Sequence, residues 1–122
     1  MKFYVCKHCG NIVTYVHDSG VPVVCCGEKM QELIPGSVDA AGEKHVPVVE
    51  RDGNLVNVKV GSIPHPMTEE HHIAWVAIET KTGIQRKALK VPGEPAAQFA
   101  LIDGDEVLNA YAYCNLHGLW KS

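Results

Sequence analysis

A cysteine and a histidine stand three positions apart near the end of the sequence, at Cys114 and His117, and both side chains can bind a metal ion. The pair alone is weak evidence, because a cysteine that ends an apolar strand is often a small buried hydrophobe. Three more histidines lie at the edges of predicted elements: His45, His65 between two prolines, and His71. Prolines stiffen the backbone beside a ligand, so the pattern favours a rigid metal site.

These five side chains indicate iron rather than structural zinc. A structural zinc ion takes four ligands, whereas the residues offer four imidazole nitrogens and one thiolate. Imidazole suits iron, and a thiolate ligand pushes electron density onto the metal and favours chemistry at a bound oxygen. His72 must project to the opposite face of its strand, which makes His71 the better candidate ligand. The residues therefore predict an iron with a vacant sixth position, built for a small oxygen species.

A second group of possible ligands lies near the start of the sequence. The thiolates of a Cys-x-x-Cys knuckle and of a later Cys-Cys pair could enclose one ion: Cys6, Cys9, Cys25 and Cys26. A segment of about 35 residues buries too little apolar surface to fold unaided, and a tetrahedral sulfur site would compensate for this. Sulfur ligands suit structural zinc and one-electron iron equally, so the residues alone leave the metal open. A thioredoxin-like redox motif is less favoured, because no βαβ pattern surrounds the knuckle.

Two predicted domains position these ligands. Residues 1–36 form the four-cysteine module, with a strand over 11–17, and residues 37–122 form an antiparallel β-sandwich. The sandwich has at most a short capped turn of helix over 37–42. Its predicted strands are 45–50, 55–60, 71–80, 84–90, 98–102 and 107–113. The strand over 71–80 is predicted to be central, with Ile73, Trp75 and Ala77 on one face and Ala74, Val76 and Ile78 on the other.

Composition excludes several classes of function. The chain has 122 residues, 46% of them hydrophobic and 20% charged, which is typical of one or two small globular units. A net charge of -3 provides no basic field for nucleic acid or an anionic membrane. The first residues resemble no signal segment, and no apolar run approaches the roughly 20 residues that span a bilayer. Metal-ligating cysteines suit a reducing compartment, so we expect a cytoplasmic protein without nucleic-acid or membrane partners.

The motifs taken together resemble desulfoferrodoxin, the two-iron class of superoxide reductase, over nearly the whole chain. The similarity rests on motifs that occur in the family's order: Cys6-x-x-Cys9, Cys25-Cys26, Glu43-Lys44-His45-Val46-Pro47, His65-Pro66-Met67, His71-x-Ile73-x-Trp75 and Cys114-Asn115-x-His117-Gly118. Any one of them could arise by chance, but the ordered set is specific.

The resemblance implies a fold and two iron sites. It implies a small desulforedoxin-like or rubredoxin-like domain, followed by an immunoglobulin-like antiparallel sandwich. The first iron would be held by the four cysteines of residues 1–36. The second would have four equatorial histidines and one axial cysteine opposite the vacant position: His45, His65, His71, His117 and Cys114.

The resemblance also implies a reaction, which is the one-electron reduction of superoxide to hydrogen peroxide without release of oxygen. The family's lysine and glutamate beside the open position match Lys44 and Glu43. Lys44 would attract the anion and stabilise the reduced species electrostatically, whereas Glu43 could occupy the open position in the oxidised resting state. Relatives are re-reduced by rubredoxin-like donors and pair as homodimers, so both are expected here.

Two other classes of function fit parts of the pattern. A zinc-stabilised interaction module would be colourless and would not respond to reductant. A pure electron carrier would be coloured but would have no vacant iron position. A visible spectrum with metal counting distinguishes these alternatives.

Overall fold

The computed structural model describes residues 1–122, which form two compact units, Met1–Ile34 and Pro35–Ser122. Both units are built almost entirely of antiparallel β-strands, as the sequence predicts. No helix in the structure is long and apolar enough to cross a membrane.

The N-terminal unit consists of very short strands around a small core. Its elements are β1 (Tyr4–Val5), β2 (Ile12–Val13), β3 (Val24–Cys25), β4 (Glu28–Lys29) and β5 (Gln31–Glu32). β2, β1 and β5 form one sheet in that order, and β3 pairs with β4. The buried apolar side chains are Phe3, Cys6 and Met30. So small a core stabilises a chain of this length poorly, which makes a metal at the four cysteines the expected support.

The strand predicted over residues 11–17 is wrong beyond Val13. Only Ile12 and Val13 pair with β1, because β1 begins at Tyr4, which is the partner of Val13 in this antiparallel pair. Residues after Val13 therefore have no partner strand, and the side chain of Val16 is fully exposed.

The C-terminal unit is a sandwich of two sheets. Its elements are α1 (Gly42–His45), β6 (Pro47–Asp52), β7 (Leu55–Val60), β8 (Ile73–Thr80), β9 (Ile84–Ala88), β10 (Ala96–Ala100), β11 (Val107–Cys114) and β12 (Gly118–Lys121). One sheet has the strand order β10-β7-β6, and the other has the order β12-β11-β8-β9. Buried side chains of both sheets form one apolar core, with Val56, Val58 and Phe99 from the first sheet and Val76 and Ile78 from the second. The predicted immunoglobulin-like sandwich is confirmed.

The predicted faces of the central strand need one correction. Ile73 packs in the core with Val76 and Ile78 and does not share a face with Trp75. The cause is an irregularity in the pairing of β8 with β11: Tyr113 pairs with Trp75, but the next residue, Cys114, pairs with Ile73. The residue skipped in this register, position 74, forms a bulge, which reverses the alternation at that end of the strand. The segment that carries His71 is thereby brought to the Cys114 side of the sheet.

The start of the unit also differs from the prediction. His45 does not begin a strand but ends the single helical turn α1, and β6 starts at Pro47. The amide of Lys44 donates to the carbonyl of Ala41 at 3.2 Å, and the amide of Val46 donates to that of Gly42 at 2.9 Å. Local sequence signals for this turn are weak, because no side chain caps its N-terminus and glycine is a poor helix former.

A final strand, β12, was missed by the sequence reasoning. It returns beside β11, and Cys114 pairs with Gly118. Gly118 has a φ of 74°, a left-handed conformation that glycine adopts without strain. Cys114 therefore precedes the turn that joins β11 to β12, and His117 ends that turn, which keeps the two residues close.

The turn after β7 holds α1 in place by backbone contact. The carbonyl oxygen of Glu43 accepts hydrogen bonds from the amide of Ile63 at 2.9 Å and from the hydroxyl of Ser62 at 3.2 Å. A Cβ atom placed on Gly61 would lie 2.5 Å from that same oxygen and 2.8 Å from the carbonyl carbon of Lys44. Only glycine fits here, because the obstructing atoms belong to the backbone and cannot rotate away.

We therefore predict that Gly61→Ala lowers the free energy of unfolding of the C-terminal unit by about 1–3 kcal/mol, the usual range for an overpacked site. Both tryptophans, Trp75 and Trp120, belong to this unit, so their fluorescence during denaturant unfolding measures it selectively. Gly83→Ala is the matched control, because a Cβ there meets nothing within 4 Å. Equal stability of the two variants would show that the close approach at Gly61 does not constrain α1.

Candidate metal centres

The structure brings the four cysteines of the N-terminal unit together. Their four sulfur atoms lie within 4.8 Å of one another, and none of them forms a disulfide: Cys6, Cys9, Cys25 and Cys26. The knuckle after β1 is closed by the amide of Gly10, which donates to the carbonyl of Cys6 at 2.9 Å. The β3–β4 turn then returns Cys25 to a point where its sulfur lies 3.6 Å from that of Cys9.

The protonation chemistry of these thiols fits a cation. The backbone amide of Cys9 donates to the sulfur of Cys6 and lowers the pKa of Cys6 to about 6. Hydrogen bonding with the neighbouring thiols raises the pKa of Cys25 and raises the pKa of Cys26 to about 12. Four thiolates this close would repel one another without a positive charge among them. The set therefore suits a metal ion, which deprotonates its thiol ligands.

A second cluster forms at one end of the sandwich. One donor atom from each of four residues lies within 4.8 Å of the others: His45, His65, His71 and Cys114. The Nδ1 atom of His117 joins them, 3.1 Å from Nε2 of His45 and 3.9 Å from the sulfur of Cys114. His45 comes from α1, His65 from the loop after β7, His71 from the approach to β8, and the last two from the β11–β12 hairpin. All five predicted side chains thus meet at one place.

Hydrogen bonds to carbonyl oxygens orient two of the imidazoles. Nδ1 of His45 donates to the carbonyl of Ala41 at 2.7 Å, and Nδ1 of His65 donates to the carbonyl of Pro66 at 2.7 Å. A neutral ring carries one N–H, so this arrangement leaves the Nε2 lone pair of each ring free. The two Nε2 atoms are 3.2 Å apart. This pairing of an outward donor with an inward lone pair is typical of metal-bound histidine.

Burial favours the neutral form of two imidazoles, which is the form that binds a metal ion. Burial lowers the pKa of His65 to about 4, so its ring is neutral at physiological pH. Burial also lowers the pKa of His71, and the neighbouring imidazoles and the ammonium of Lys44 act in the same direction. Nε2 of His71 is buried and has no hydrogen-bond partner. A buried nitrogen left unpaired is unfavourable, and a metal ion at the centre would supply the missing partner.

The predicted charged residues lie beside this cluster. Glu43 and Lys44 occupy the exposed side of α1, while His45, in the same turn, is 3% exposed. Neither Glu43 nor Lys44 forms an ion pair. His72 lies outside the cluster, and its Nδ1 donates to the carbonyl of Thr68 at 2.9 Å.

Sequence reasoning missed one residue that shapes the site. Trp120, in β12, packs its ring 4.8 Å from the ring of His45 and donates from Nε1 to the carbonyl of His117 at 3.1 Å. It contacts one ligand ring and fixes the backbone of another. Its spacing from His117 carries no recognisable signal, because β12 itself was not predicted.

Known proteins resemble this chain over its whole length. Residues 37–122 match the family described as desulfoferrodoxin, and residues 1–33 match the desulfoferrodoxin N-terminal domain. The desulfoferrodoxin homolog of Archaeoglobus fulgidus is 47% identical over 122 residues, which cover 100% of this chain and 96% of that protein. The desulfoferrodoxin of Nitratidesulfovibrio vulgaris is 46% identical over 121 residues, which cover 99% of this chain and 94% of that protein.

A solved structure extends the likeness to the fold. The crystal structure of the superoxide reductase from Treponema pallidum superposes with a TM-score of 0.85 at 47% identity, covering 99% of this chain and 97% of that chain. The four-cysteine cluster and the cluster of histidines with Cys114 match the two iron sites of the family. By its sequence, its fold and its two donor sets, the chain belongs to the desulfoferrodoxin family.

Proposed function

We propose that this protein is a superoxide reductase that converts superoxide to hydrogen peroxide with one electron and two protons and releases no oxygen. The observation that carries this proposal is the second cluster, where imidazoles and one thiolate converge beside an exposed lysine. Five protein donors leave one position of an octahedral ion for a small ligand. The likeness to a structure named superoxide reductase supports the same reaction.

The proposal assigns a role to each domain. Residues 1–36 hold one iron through Cys6, Cys9, Cys25 and Cys26, and residues 37–122 hold a second through His45, His65, His71, His117 and Cys114. The second iron, when bound and ferrous, supplies the electron and the vacant position. The protein's own contribution is to keep the ring of His65 neutral through burial, and to bury Cys114 completely so that no solvent ligand reaches its sulfur.

The charged residues of α1 are proposed to act on the approaching superoxide anion. Lys44 is exposed on α1, and its charge acts on His71 of the cluster. We propose that it attracts superoxide and stabilises negative charge at the open position. Glu43 stands next to it and would be the residue that fills the open position in the oxidised resting state.

Partners and location follow from the same family. The electron donor is proposed to be a rubredoxin-like protein. A homodimer is proposed as well, and Val16, Val21 and Val24 are exposed apolar side chains of the N-terminal unit that are available for such a contact. All cysteines are free thiols, which favours a reducing compartment such as the cytoplasm.

The stoichiometry of the reaction tests the proposed activity. We predict that ferrous protein supplied with pulses of superoxide forms one hydrogen peroxide per superoxide and evolves no oxygen above the protein-free background. Dismutation would instead give one oxygen for every two superoxide ions. His71→Ala is the control, because it removes a proposed ligand. Oxygen evolved in the dismutation ratio by the native protein would overturn the proposal.

The role of Lys44 is tested by the dependence of rate on salt. Lys44→Ile should slow the bimolecular reaction with superoxide by about 10-fold, because steering by a local charge raises association rates by at least that factor. The slope of the rate against ionic strength should also flatten, since the screening length is about 8 Å at 0.15 M.

Lys81→Ile is the matched control for this variant. It removes the same charge from an exposed lysine that pairs with Glu106 at 3.0 Å, at the opposite end of β8 from His71. We expect its rate and slope to stay near those of the native protein. If the two variants behave alike, only net charge matters and Lys44 has no special role.

A further inference from the structure

His71 differs from the other buried histidines in how its ring is held. His45 and His65 each anchor Nδ1 on a carbonyl oxygen. The ring of His71 has no such bond, and its Nε2 is unpaired. The position of this ring therefore depends on the backbone that carries it and on its edge contacts with the rings of His65 and His117.

Asn115 brackets His71 on both sides. Its side-chain oxygen accepts a hydrogen bond from the amide of His72 at 2.9 Å, and its side-chain amide donates to the carbonyl of Glu70 at 2.9 Å. Its backbone amide donates to the carbonyl of His72 at 3.2 Å. One asparagine thus contacts the residue before His71 and the residue after it.

The same asparagine follows directly after Cys114. β11 ends at Cys114, which is paired with Ile73, and the chain then turns toward His117. The side-chain oxygen of Asn115, rather than a backbone carbonyl, accepts from the amide of His72, while the backbone amide of Asn115 donates to the carbonyl of His72. The pairing of the two strands is thus extended by one residue, to the neighbour of His71.

The hydrogen bonds of His71 itself are local to its own loop. The hydroxyl of Thr68 accepts from the amide of His71 at 3.1 Å, and the amide of Thr68 donates to its carbonyl at 3.0 Å. These bonds fix the shape of the loop, but they do not set its distance from β11. Asn115 is the residue whose side chain joins that loop to the strand of Cys114.

We infer that Asn115 is a positioning residue for the second metal centre, which fixes His71 relative to Cys114 through hydrogen bonds to Glu70 and His72. This inference rests on the ligand assignment proposed above. An amide side chain is required for it, since one atom must accept and the other must donate. Partners that orient a ligand in this way typically change metal affinity by 10-fold to 100-fold when removed.

The inference is tested by iron retention in the full-length protein. Asn115→Ala should lower the affinity of the second centre for ferrous iron by about 10-fold to 100-fold. Competition with a strong chelator measures this affinity. The sulfur-to-iron charge-transfer absorption of the oxidised centre should shift, while the absorption of the four-cysteine centre stays constant as an internal reference. Asn115→Asp keeps the acceptor for His72 but loses the donor for Glu70, so we expect an intermediate effect.

Asn57→Ala serves as the matched control. Asn57 accepts a hydrogen bond from Gln98 at 3.1 Å on the other sheet, so its loss tests general weakening of the sandwich. The inference is overturned if Asn115→Ala lowers thermal stability no more than Asn57→Ala and keeps native iron affinity and absorption. If Asn115→Ala does not fold, the same readouts on Asn115→Asp decide the matter.

His71→Ala separates the two possible failures. Retention of the second iron at native affinity in that variant would overturn the proposed ligand assignment. Loss of this iron from His71→Ala, together with native behaviour of both Asn115 variants, would overturn the positioning role alone.

Discussion

Two lone pairs that face each other repel unless a cation lies between them, and this constraint governs the C-terminal unit. The rings of His45 and His65 donate their single N–H outward, so their Nε2 lone pairs face one another across 3.2 Å. Burial lowers the pKa of His65 to about 4, so its own ring does not take up a proton at Nε2 at neutral pH. Metal binding does relieve it, and binding energy at this site is therefore also folding energy.

The clustered side chains lie at places where regular strand pairing is interrupted. α1 is one turn inserted before β6, the bulge beside Ile73 interrupts β8, and the β11–β12 hairpin begins at Cys114. Hydrogen bonds from elsewhere in the unit then fix each irregular segment. The strands between them are closely packed and have little freedom to shift. A reactive site with an open position can thus stand on a rigid frame.

That Cys114 lies together with His45, His65, His71 and His117 could be predicted from the sequence, whereas the backbone that presents them could not. Residue type and order were sufficient to select these side chains as neighbours. The helical turn ending at His45 was not visible, because Ser62 and Ile63, far along the chain, stabilise it through the Glu43 carbonyl. The face of Ile73 was assigned wrongly for a similar reason, since a bulge is a property of two paired strands.

The geometry of the C-terminal unit fits five protein ligands and one open position on a single iron. A crystal structure of iron-loaded, reduced protein tests this most directly. We predict iron bound by Nε2 of His45, His65 and His71, by Nδ1 of His117 and by the sulfur of Cys114, with no protein atom at the sixth position. An iron without the sulfur, without His117, or with a sixth protein ligand in the reduced state would contradict the account.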